Sequence, residues 1–402
     1  MSGKPGAFGV MHSYSGRTWH LCDGGERADD LTRRFDLSPV LAQLIAVRGI
    51  ADEALEDYLH PTMKRLMPEP FGLSGMDKAV ARAQAAVEAG ESIALFGDYD
   101  VDGSCSVALL SDYLSAVAKP PRIYVPDRMR EGYGPNAAAL LKLKAEGASL
   151  VITADCGAGA AEALAAARDA GLDVIVLDHH ACVAAPPACA FVDPNQAGDA
   201  SGLGHLAAAG VVFLFVTALN RALRDAGRFK DGGEPDLLRG LDLAALATVC
   251  DVVPLTGVNR AFVRTGLKQL SRCERPGIAA LAEVAGATPP FTAYHLGFVL
   301  GPRINAGGRV GRSSLGADLL TARDPQAAAE YAAALDTHNR ERQALEKLIL
   351  DEAVAMAEEQ ADSPFLFVAG DGWHPGVVGI VAGRLKDRKS TRLNSSHSRA
   401  SR

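Results

Sequence analysis

The sequence predicts an α/β protein: a domain built on a parallel sheet, then a long connecting helix, then the start of an incomplete second α/β domain. Three observations indicate this. Between residues 77 and 194, short apolar runs alternate with amphipathic segments of helix length, which is typical of a parallel sheet covered on both faces. A helical pattern of alanines and leucines then fills residues 325–360. Beyond it, an apolar run at 365–369 leads into a glycine-rich turn and an apolar helix.

Each element is predicted from its own pattern, with helices from apolar residues at helical spacing and strands from apolar runs that end at Gly or Asp. Before residue 76 the chain is predicted to be irregular, with short helices at 39–48 and 51–59. The regular alternation comprises helix 77–89, strand 92–96, helix 106–117, strand 122–125, helix 136–146, strand 150–153, helix 161–170 and strand 174–177. Later elements are helices 206–223, 242–248, 260–270, 278–284 and 325–360, strand 365–369 and helix 377–385.

The composition is that of a soluble globular protein, with 402 residues, 48% hydrophobic and 22% charged. Seven scattered cysteines without a Cys-x-x-Cys pair argue against a disulfide framework or a zinc ribbon and favour a reducing cytoplasm. The longest apolar stretch, 206–219, is interrupted and shorter than the ~18 residues of a membrane span, so we predict a buried helix and no membrane association. A net charge of −7 leaves nucleic acid open as a partner, because a local basic groove suffices.

Acidic residues follow three of the predicted strands. In an open parallel sheet, ligands bind at the carboxyl ends of the strands, so these acids are expected to converge on one crevice. The segments are DYDVDG at 98–103, DCG at 155–157 and DHH at 178–180.

Clustered carboxylates raise one another's pKa unless a cation neutralises them. Carboxylates with imidazoles and no thiolate pair favour Mn²⁺ or Mg²⁺, with tolerance for Zn²⁺ and Co²⁺. Five or more acids and two histidines make two ions plausible. A two-metal site indicates hydrolysis of a phosphodiester or phosphoanhydride.

Each motif has a plainer interpretation when it is taken alone. DYDVDG could be a calcium loop, but the twelfth position from Asp98 is Leu109, where an EF-hand has Glu. Asp155 could be a helix N-cap, and DHH could be a surface turn. Their shared placement at strand ends favours one site.

These segments, with VDPN at 192–195 and TVCDVVPL at 248–255, resemble the four motifs of the DHH phosphoesterase superfamily. GPRINAGGR at 301–309 and GWHPGVVGIVA at 372–382 are similar to segments of its RecJ branch. The resemblance covers residues 37–385 and implies an N-terminal region (1–76), a DHH catalytic domain (77–324), a connecting helix (325–362) and the start of a DHH-associated domain (363–386).

The resemblance implies roles for individual residues. It places His180 against the scissile phosphate and Asp178 beside a histidine that it orients. Some relatives carry a His, as a metal ligand, where this chain has Phe96. Asp98 therefore either replaces that His as a ligand or lies behind the ligands. Metal ligation is implied for Asp98, Asp100, Asp102, Asp155, His179 and Asp251.

The resemblance also implies a path for nucleic acid. Arg303 and Asn305 lie in a Gly/Pro-rich segment that gives them little reason to have a structural role, so we expect both to contact DNA phosphates. The turn before helix 377–385 offers backbone donors for the phosphate at the 5′ end. The residues implied in DNA contact are Arg128, Arg303, Asn305, Trp373, His374 and Gly376.

The implied activity is metal-dependent 5′→3′ hydrolysis of single-stranded DNA in recombination and repair, by a monomer that holds two Mn²⁺ or Mg²⁺ ions. A single-strand-binding protein and a helicase are its candidate protein partners. One alternative is a phosphodiesterase for short oligonucleotides or cyclic dinucleotides. The other is a non-catalytic replication scaffold, which the retained acids and both histidines disfavour.

Residues 387–402 contain five serines, five basic residues and one large aliphatic residue. Such a segment buries too little apolar surface to offset its ordering entropy, so we predict an extended, exposed tail. A basic arm on nucleic acid is one interpretation. We favour a foreign tail joined to a prematurely ended gene, which predicts an incomplete second domain, a weak grip on the strand and less processive digestion.

Overall fold

The computed structural model describes residues 22–128, 130–360, 363 and 365–392, and it describes no side chains for 387–392. The chain divides into two units, Met1–Pro61 and Thr62–Arg402. In the first unit, Leu31, Ala42, Ile45 and Leu55 form a small core. The helices of this unit are α1 (Gly25–Phe35), α2 (Pro39–Val47) and α3 (Leu55–Leu59), with a 3₁₀ turn at Asp52–Ala54.

The division lies well before residue 76, where we predicted the N-terminal region to end. Residues just before 76 belong to the second unit and pack within it. The Ser74 amide donates a hydrogen bond to Asp199 Oδ2 (2.9 Å), and the Met76 side chain is fully buried.

The second unit is built on a five-stranded sheet in the order β2-β1-β3-β4-β5, with every neighbouring pair parallel. The predicted α/β class is therefore confirmed. Gly97 is in register with Ala154, and Ala154 with Leu177, so three strands end level at one edge of the sheet. The strands are β1 (Ile93–Gly97), β2 (Arg122–Tyr124), β3 (Leu150–Ala154), β4 (Asp173–Leu177) and β5 (Ala190–Val192).

Helices cover both faces of the sheet, and the two central strands, β1 and β3, are buried at every position. The helices before the connecting helix are α4 (Met63–Leu66), α5 (Met76–Ala89), α6 (Val101–Val117), α7 (Ala137–Ala145), α8 (Ala161–Asp169), α9 (Ala208–Asp225), α10 (Leu241–Cys250), α11 (Gly257–Leu270), α12 (Pro276–Val284), α13 (Gly301–Val310) and α14 (Leu315–Thr321). Short 3₁₀ turns occur at Pro70–Gly72 and Leu237–Gly240, and a π-helical turn at His295–Leu300.

The apolar stretch predicted as a buried helix forms α9, which lies in the main core. Among the described residues, we find no helix with the length and apolar character that a membrane crossing requires.

Helix α6 begins at Val101, earlier than the predicted residue 106. Asp100 caps it, because Asp100 Oδ1 accepts a hydrogen bond from the Gly103 amide (2.9 Å). Asp102 therefore lies in the first turn of the helix, and its position is fixed by helix geometry.

The Gly/Pro-rich segment 301–309 forms α13 and packs closely against the acidic loop. At Gly308, a Cβ atom would lie 2.7 Å from the Tyr99 ring, so a larger residue would force the two apart. Gly308 therefore permits the close approach of α13 to the loop between β1 and α6.

The connecting helix is α15 (Pro325–Glu358), and the last helix is α16 (Pro375–Arg392). They share a separate apolar core that includes Ile349, Leu350, Val377 and Val381. Helix α16 runs beyond its predicted end, so the predicted extended conformation is wrong for residues 387–392. Residues 393–402 lie outside the described part of the chain.

The predicted strand at 365–369 is wrong. The described residues of this segment pair with no other strand, and Phe365 and Phe367 are 70% and 74% exposed. The Gln360 side chain bonds Phe367 instead: its Nε2 donates to the carbonyl (2.8 Å), and its Oε1 accepts from the amide (3.2 Å). An apolar run forms a strand only where a neighbouring strand supplies such partners along its length.

Candidate metal centre

The carboxylates of the first motif lie between β1 and the first turn of α6. Asp98 and Asp102 are buried, with 5% and 1% exposure. Both oxygens of Asp102 accept hydrogen bonds from the first amides of α9: Oδ2 from Ala208 (2.6 Å) and Oδ1 from Ala209 (2.8 Å). The positive end of α9 thus stabilises the Asp102 carboxylate and fixes its orientation.

Two further acids are placed by unusual backbone conformations. Asp155 follows β3 with a φ of 62°, in the left-handed region that non-glycine residues rarely adopt. Its amide still bonds Leu177 (3.0 Å), so the sheet holds the strained turn in place. Asp251 caps the C-terminus of α10, and the residue after it, Val252, has a φ of 59°. Strain of this kind is concentrated at functional sites.

His179 presents one ring nitrogen to the carboxylates. Its Nδ1 lies 2.9 Å from the Leu206 carbonyl oxygen, and because that oxygen can only accept, Nδ1 carries the proton. In the neutral ring Nε2 then carries the lone pair, and it lies 3.4 Å from Asp155 Oδ1, 3.8 Å from Asp102 Oδ2 and 3.9 Å from Asp251 Oδ2. A histidine held in this way is ready to bind a metal through Nε2.

His180 is bonded to a carboxylate. Its Nδ1 lies 2.8 Å from Asp178 Oδ1, and this hydrogen bond, opposed by burial, raises the pKa of His180 to about 9. Burial raises the pKa of Asp178, but the His180 bond and a bond from the Ala158 amide (2.9 Å) outweigh it, so the pKa is lowered. At neutral pH the pair is an imidazolium beside a carboxylate.

The predicted ligands converge into three overlapping groups. Within each group the candidate ligand atoms lie within 4.8 Å of one another. Asp155 belongs to two groups, and so does His179, which joins the groups into one centre. The groups are Asp98, Asp100 and Asp155; Asp102, His179 and Asp251; and Asp155, His179 and His180.

The charge distribution of this centre fits divalent cations. Burial, reinforced by Asp100, raises the pKa of Asp98 to about 7. Burial and neighbouring carboxylates also raise the pKa values of Asp102, Asp155 and Asp251. Within the described part of the chain, Asp98 Oδ1 is buried without a hydrogen-bond partner. An unpartnered buried carboxylate oxygen among other acids is costly unless a cation binds it.

Three predicted DNA-binding residues have partners inside the fold. The Arg128 guanidinium lies over the Tyr99 ring, 5.3 Å from its centroid. Arg303 Nε donates to Asp336 Oδ1 (2.9 Å), and Asn305 Oδ1 accepts from the amide of Val101 (3.1 Å). The expectation that Arg303 and Asn305 have little structural role is therefore wrong. Their contact with DNA stays a prediction.

The other three predicted DNA-binding residues lie at the start of α16. Trp373 Nε1 donates to Glu352 Oε2 (2.8 Å) on the connecting helix. His374 Nδ1 accepts from the Gly376 amide (3.0 Å), and the Gly376 carbonyl accepts from Arg309 (3.1 Å). The described contacts place these residues beside α13 and α15.

Sequence reasoning missed two residues beside the centre. Arg309, the last residue of GPRINAGGR, is half-buried and forms no ion pair with any carboxylate of the described residues. Burial, with Arg128 and Arg342 nearby, lowers its pKa. The Tyr133 hydroxyl donates to the Asp155 carbonyl (3.2 Å), and the two rings of Tyr133 and His180 lie edge to face, 6.1 Å apart. Arg309 ends the GPRINAGGR segment noted above, and Tyr133 lies between Gly132 and Gly134, so neighbouring glycines are the signal that the sequence offers for both.

Comparison with known proteins agrees with this geometry. The model of the DHH family N-terminal domain matches residues 92–248. The crystal structure of exonuclease RecJ bound to manganese is 33% identical, with a TM-score of 0.70, over 79% of this chain and 78% of that chain. This chain belongs to the RecJ family. The resemblance expected from the motifs is therefore confirmed.

Other RecJ proteins match over most of this chain. RecJ of Thermus thermophilus in complex with Mn²⁺ is 30% identical, with a TM-score of 0.75, over 90% of this chain and 51% of that one. The single-stranded-DNA-specific exonuclease RecJ of Bacillus subtilis is 37% identical over 90% of this chain and 45% of its own length. The Salmonella typhimurium protein is 38% identical, over 88% and 62%. The chain thus spans about half the length of the curated relatives it matches.

Proposed function

We propose that the chain is a metal-dependent 5′→3′ exonuclease that hydrolyses the phosphodiester bonds of single-stranded DNA in recombination and repair. The observation that carries this proposal is the convergence of two ligand groups, Asp98 with Asp100 and Asp155, and Asp102 with His179 and Asp251, which meet where Asp155 approaches His179. Relatives named single-stranded-DNA-specific exonucleases support the substrate class. Solved RecJ structures bound to Mn²⁺ or Mg²⁺ support the choice of metal.

Two Mn²⁺ or Mg²⁺ ions are proposed to bind at this centre. When bound, a pair of such ions stabilises the charge on the attacking and leaving oxygens of a phosphodiester displacement. His180 is kept apart from the proposed ligands, because half of its side chain is exposed and the family resemblance assigns it to the scissile phosphate. The proposed ligands are Asp98, Asp100, Asp102, Asp155, His179 and Asp251.

His180 is proposed to act on the scissile phosphate. With Nδ1 bonded to Asp178, its Nε2–H is the remaining donor, and half of the side chain is exposed. A positioned imidazolium donates to a phosphate oxygen and stabilises the charge that develops there. Asp178 holds the ring in orientation and keeps it protonated.

Strand binding is proposed for Arg128, Arg303, Asn305, Trp373, His374 and Gly376. Arg128 lies over Tyr99, the neighbour of Asp98, so it is placed to contact a phosphate close to the metals. Arg309, without a carboxylate partner among the described residues, adds positive charge beside Gly376. Contacts to phosphates carry no base preference, which suits digestion of any sequence.

The proposal extends to the protein's surroundings. We propose that it works as a monomer in the cytoplasm, with single-stranded DNA as its substrate. A single-strand-binding protein that covers the strand and a helicase that exposes it are the proposed protein partners.

The test compares substrates under controlled metal conditions. A long 5′-phosphorylated single strand, labelled at its 3′ end, is incubated with Mn²⁺ or with excess chelator, alongside a duplex and a dinucleotide. The proposal predicts metal-dependent shortening of the single strand from its 5′ end. Hydrolysis of the dinucleotide alone would favour the short-oligonucleotide phosphodiesterase, and no hydrolysis would favour the scaffold.

A further inference from the structure

Asn259 is a fully buried amide on α11 that the proposed mechanism does not use. Its Nδ2 donates two hydrogen bonds, one to the His205 carbonyl (2.7 Å) and one to the Pro254 carbonyl (3.0 Å). Two carbonyl acceptors require both hydrogens of an amide nitrogen, so the orientation of the Asn259 side chain is fixed. Its Oδ1 is buried without a partner within the described part of the chain.

The first of these carbonyls belongs to the loop that precedes α9. The next residue, Leu206, supplies the carbonyl that holds His179 Nδ1 (2.9 Å). Two residues further on, the Ala208 amide binds Asp102 (2.6 Å). A shift of the His205 carbonyl therefore moves the groups that orient two proposed metal ligands.

The second carbonyl belongs to the loop that follows α10. This loop begins at Asp251, and it includes Val252, a β-branched residue in the left-handed region with a φ of 59°. Such a conformation persists only where its surroundings enforce it. The bond from Asn259 to Pro254 is one of the contacts that hold this loop.

We propose that Asn259 is a positioning residue for the metal centre. One amide nitrogen joins the loop that orients His179 and Asp102 to the loop that carries Asp251. These three residues form one of the ligand groups, with candidate ligand atoms within 4.8 Å of one another. The inference rests on the metal binding of the proposed function, and it adds a residue outside the ligands that sets their spacing.

The test measures Mn²⁺ affinity directly, by the loss of the free-ion signal in electron paramagnetic resonance, on the full chain. Asn259→Ala is expected to weaken Mn²⁺ binding about 10- to 100-fold, as substitutions behind metal ligands do. Asn259→Ser keeps one donor in a smaller side chain and is expected to lose less affinity. It also serves as the test if Asn259→Ala does not fold.

Asn220 provides a matched control, because it is also a buried amide, with 1% exposure. It lies on α9 and bonds Tyr113 (3.3 Å) and Glu234 (2.7 Å), which are not proposed ligands. If Asn259 positions the metals, Asn220→Ala lowers the melting temperature without changing Mn²⁺ affinity. If the folded Asn259 variants bind Mn²⁺ within about twofold of the unsubstituted chain, the proposal is overturned.

These outcomes separate the inference from the proposed function. A chain that binds Mn²⁺ and loses affinity on substitution of Asn259, yet does not digest DNA, supports the inference and contradicts the exonuclease. A chain that digests DNA and keeps its Mn²⁺ affinity in the Asn259 variants contradicts the inference alone. An unsubstituted chain without measurable Mn²⁺ binding contradicts both.

Discussion

Asp178 Oδ1 lies 2.8 Å from His180 Nδ1 and also accepts the amide of His179 (2.8 Å). One buried carboxylate thus fixes the ring of the second histidine and the backbone of the first. The two histidines of the DHH motif face different partners as a result. His179 presents Nε2 to the acids, and His180 is held as a cation.

This division of roles predicts different losses for the two histidines. His180→Ala is expected to lower turnover about 10²- to 10³-fold, the usual cost of a lost charge-stabilising donor, and to leave the bound metal in place. His179→Ala is expected to lose bound metal as well as turnover, because it removes a ligand. Elemental analysis of both variants, beside their rates, checks this. Equal loss of metal in the two variants would contradict the assignment.

Asp155 is a proposed ligand of one ion, and its Oδ1 lies 3.4 Å from Nε2 of His179, a proposed ligand of the other, so its substitution is expected to affect both ions. Asp155→Asn should lower turnover by about three orders of magnitude, since a bound metal contributes several kcal/mol to the transition state. The metal-free variant should be at least as stable as the parent, because a buried charge among other acids is removed. The exposed Asp169 on α8 provides the control Asp169→Asn. A metal-free Asp155→Asn that melts far below the parent would show a structural role instead.

Metal affinity is expected to rise with pH. Burial and Asp100 raise the pKa of Asp98 to about 7, and Asp102, Asp155 and Asp251 also have raised pKa values. Mn²⁺ binds the ionised carboxylates, so at lower pH it must displace protons. Calorimetry in buffers of different ionisation enthalpy should detect proton release near neutral pH. Affinity that does not change between pH of about 6 and about 8 would refute this electrostatic description.

Arg303 is predicted to contribute to stability as well as to DNA binding. Its ion pair with Asp336 is largely buried, with side-chain exposures of 18% and 5%. Arg303→Ala should therefore lower the free energy of unfolding by about 3 kcal/mol. Arg340 pairs with the same acid but is 75% exposed, so Arg340→Ala should cost less than about 1 kcal/mol. Chemical denaturation of both variants measures the difference, and equal losses would be the contrary result.

The DNA contact of Arg303 has its own test. If Arg303 contacts a phosphate, Arg303→Ala should weaken the binding of all strand sequences alike and reduce the salt slope by about 1. Binding measured at several salt concentrations, on strands of different base composition, checks this. A loss confined to particular sequences would contradict a phosphate contact.

The strand-end acids could be predicted from the sequence because the signal is local. A short apolar run followed by Asp predicts both the strand and the residue at its carboxyl end, and parallel pairing then brings Asp98 and Asp155 to one edge. The same reasoning could not predict that Asp102 is held by the amides of Ala208 and Ala209. That contact joins residues more than a hundred positions apart and depends on how α6 and α9 pack.

Three other features are predicted wrongly or not at all. The sequence predicts only a DNA contact for Arg303, because its partner, Asp336, lies on a different helix. The apolar run at 365–369 was predicted as a strand, since the pattern does not reveal whether a neighbouring strand is available. The short strand β5 was not predicted, because three residues carry too little periodicity.

The central claim is that the strand-end acids form a two-metal centre, and anomalous diffraction from crystals grown with Mn²⁺ tests it most directly. The account predicts two Mn²⁺ peaks per chain, one bound by Asp98, Asp100 and Asp155 and the other by Asp102, His179 and Asp251. Crystals that contain Mn²⁺ but show no peak among these residues, or show peaks only elsewhere, would contradict it.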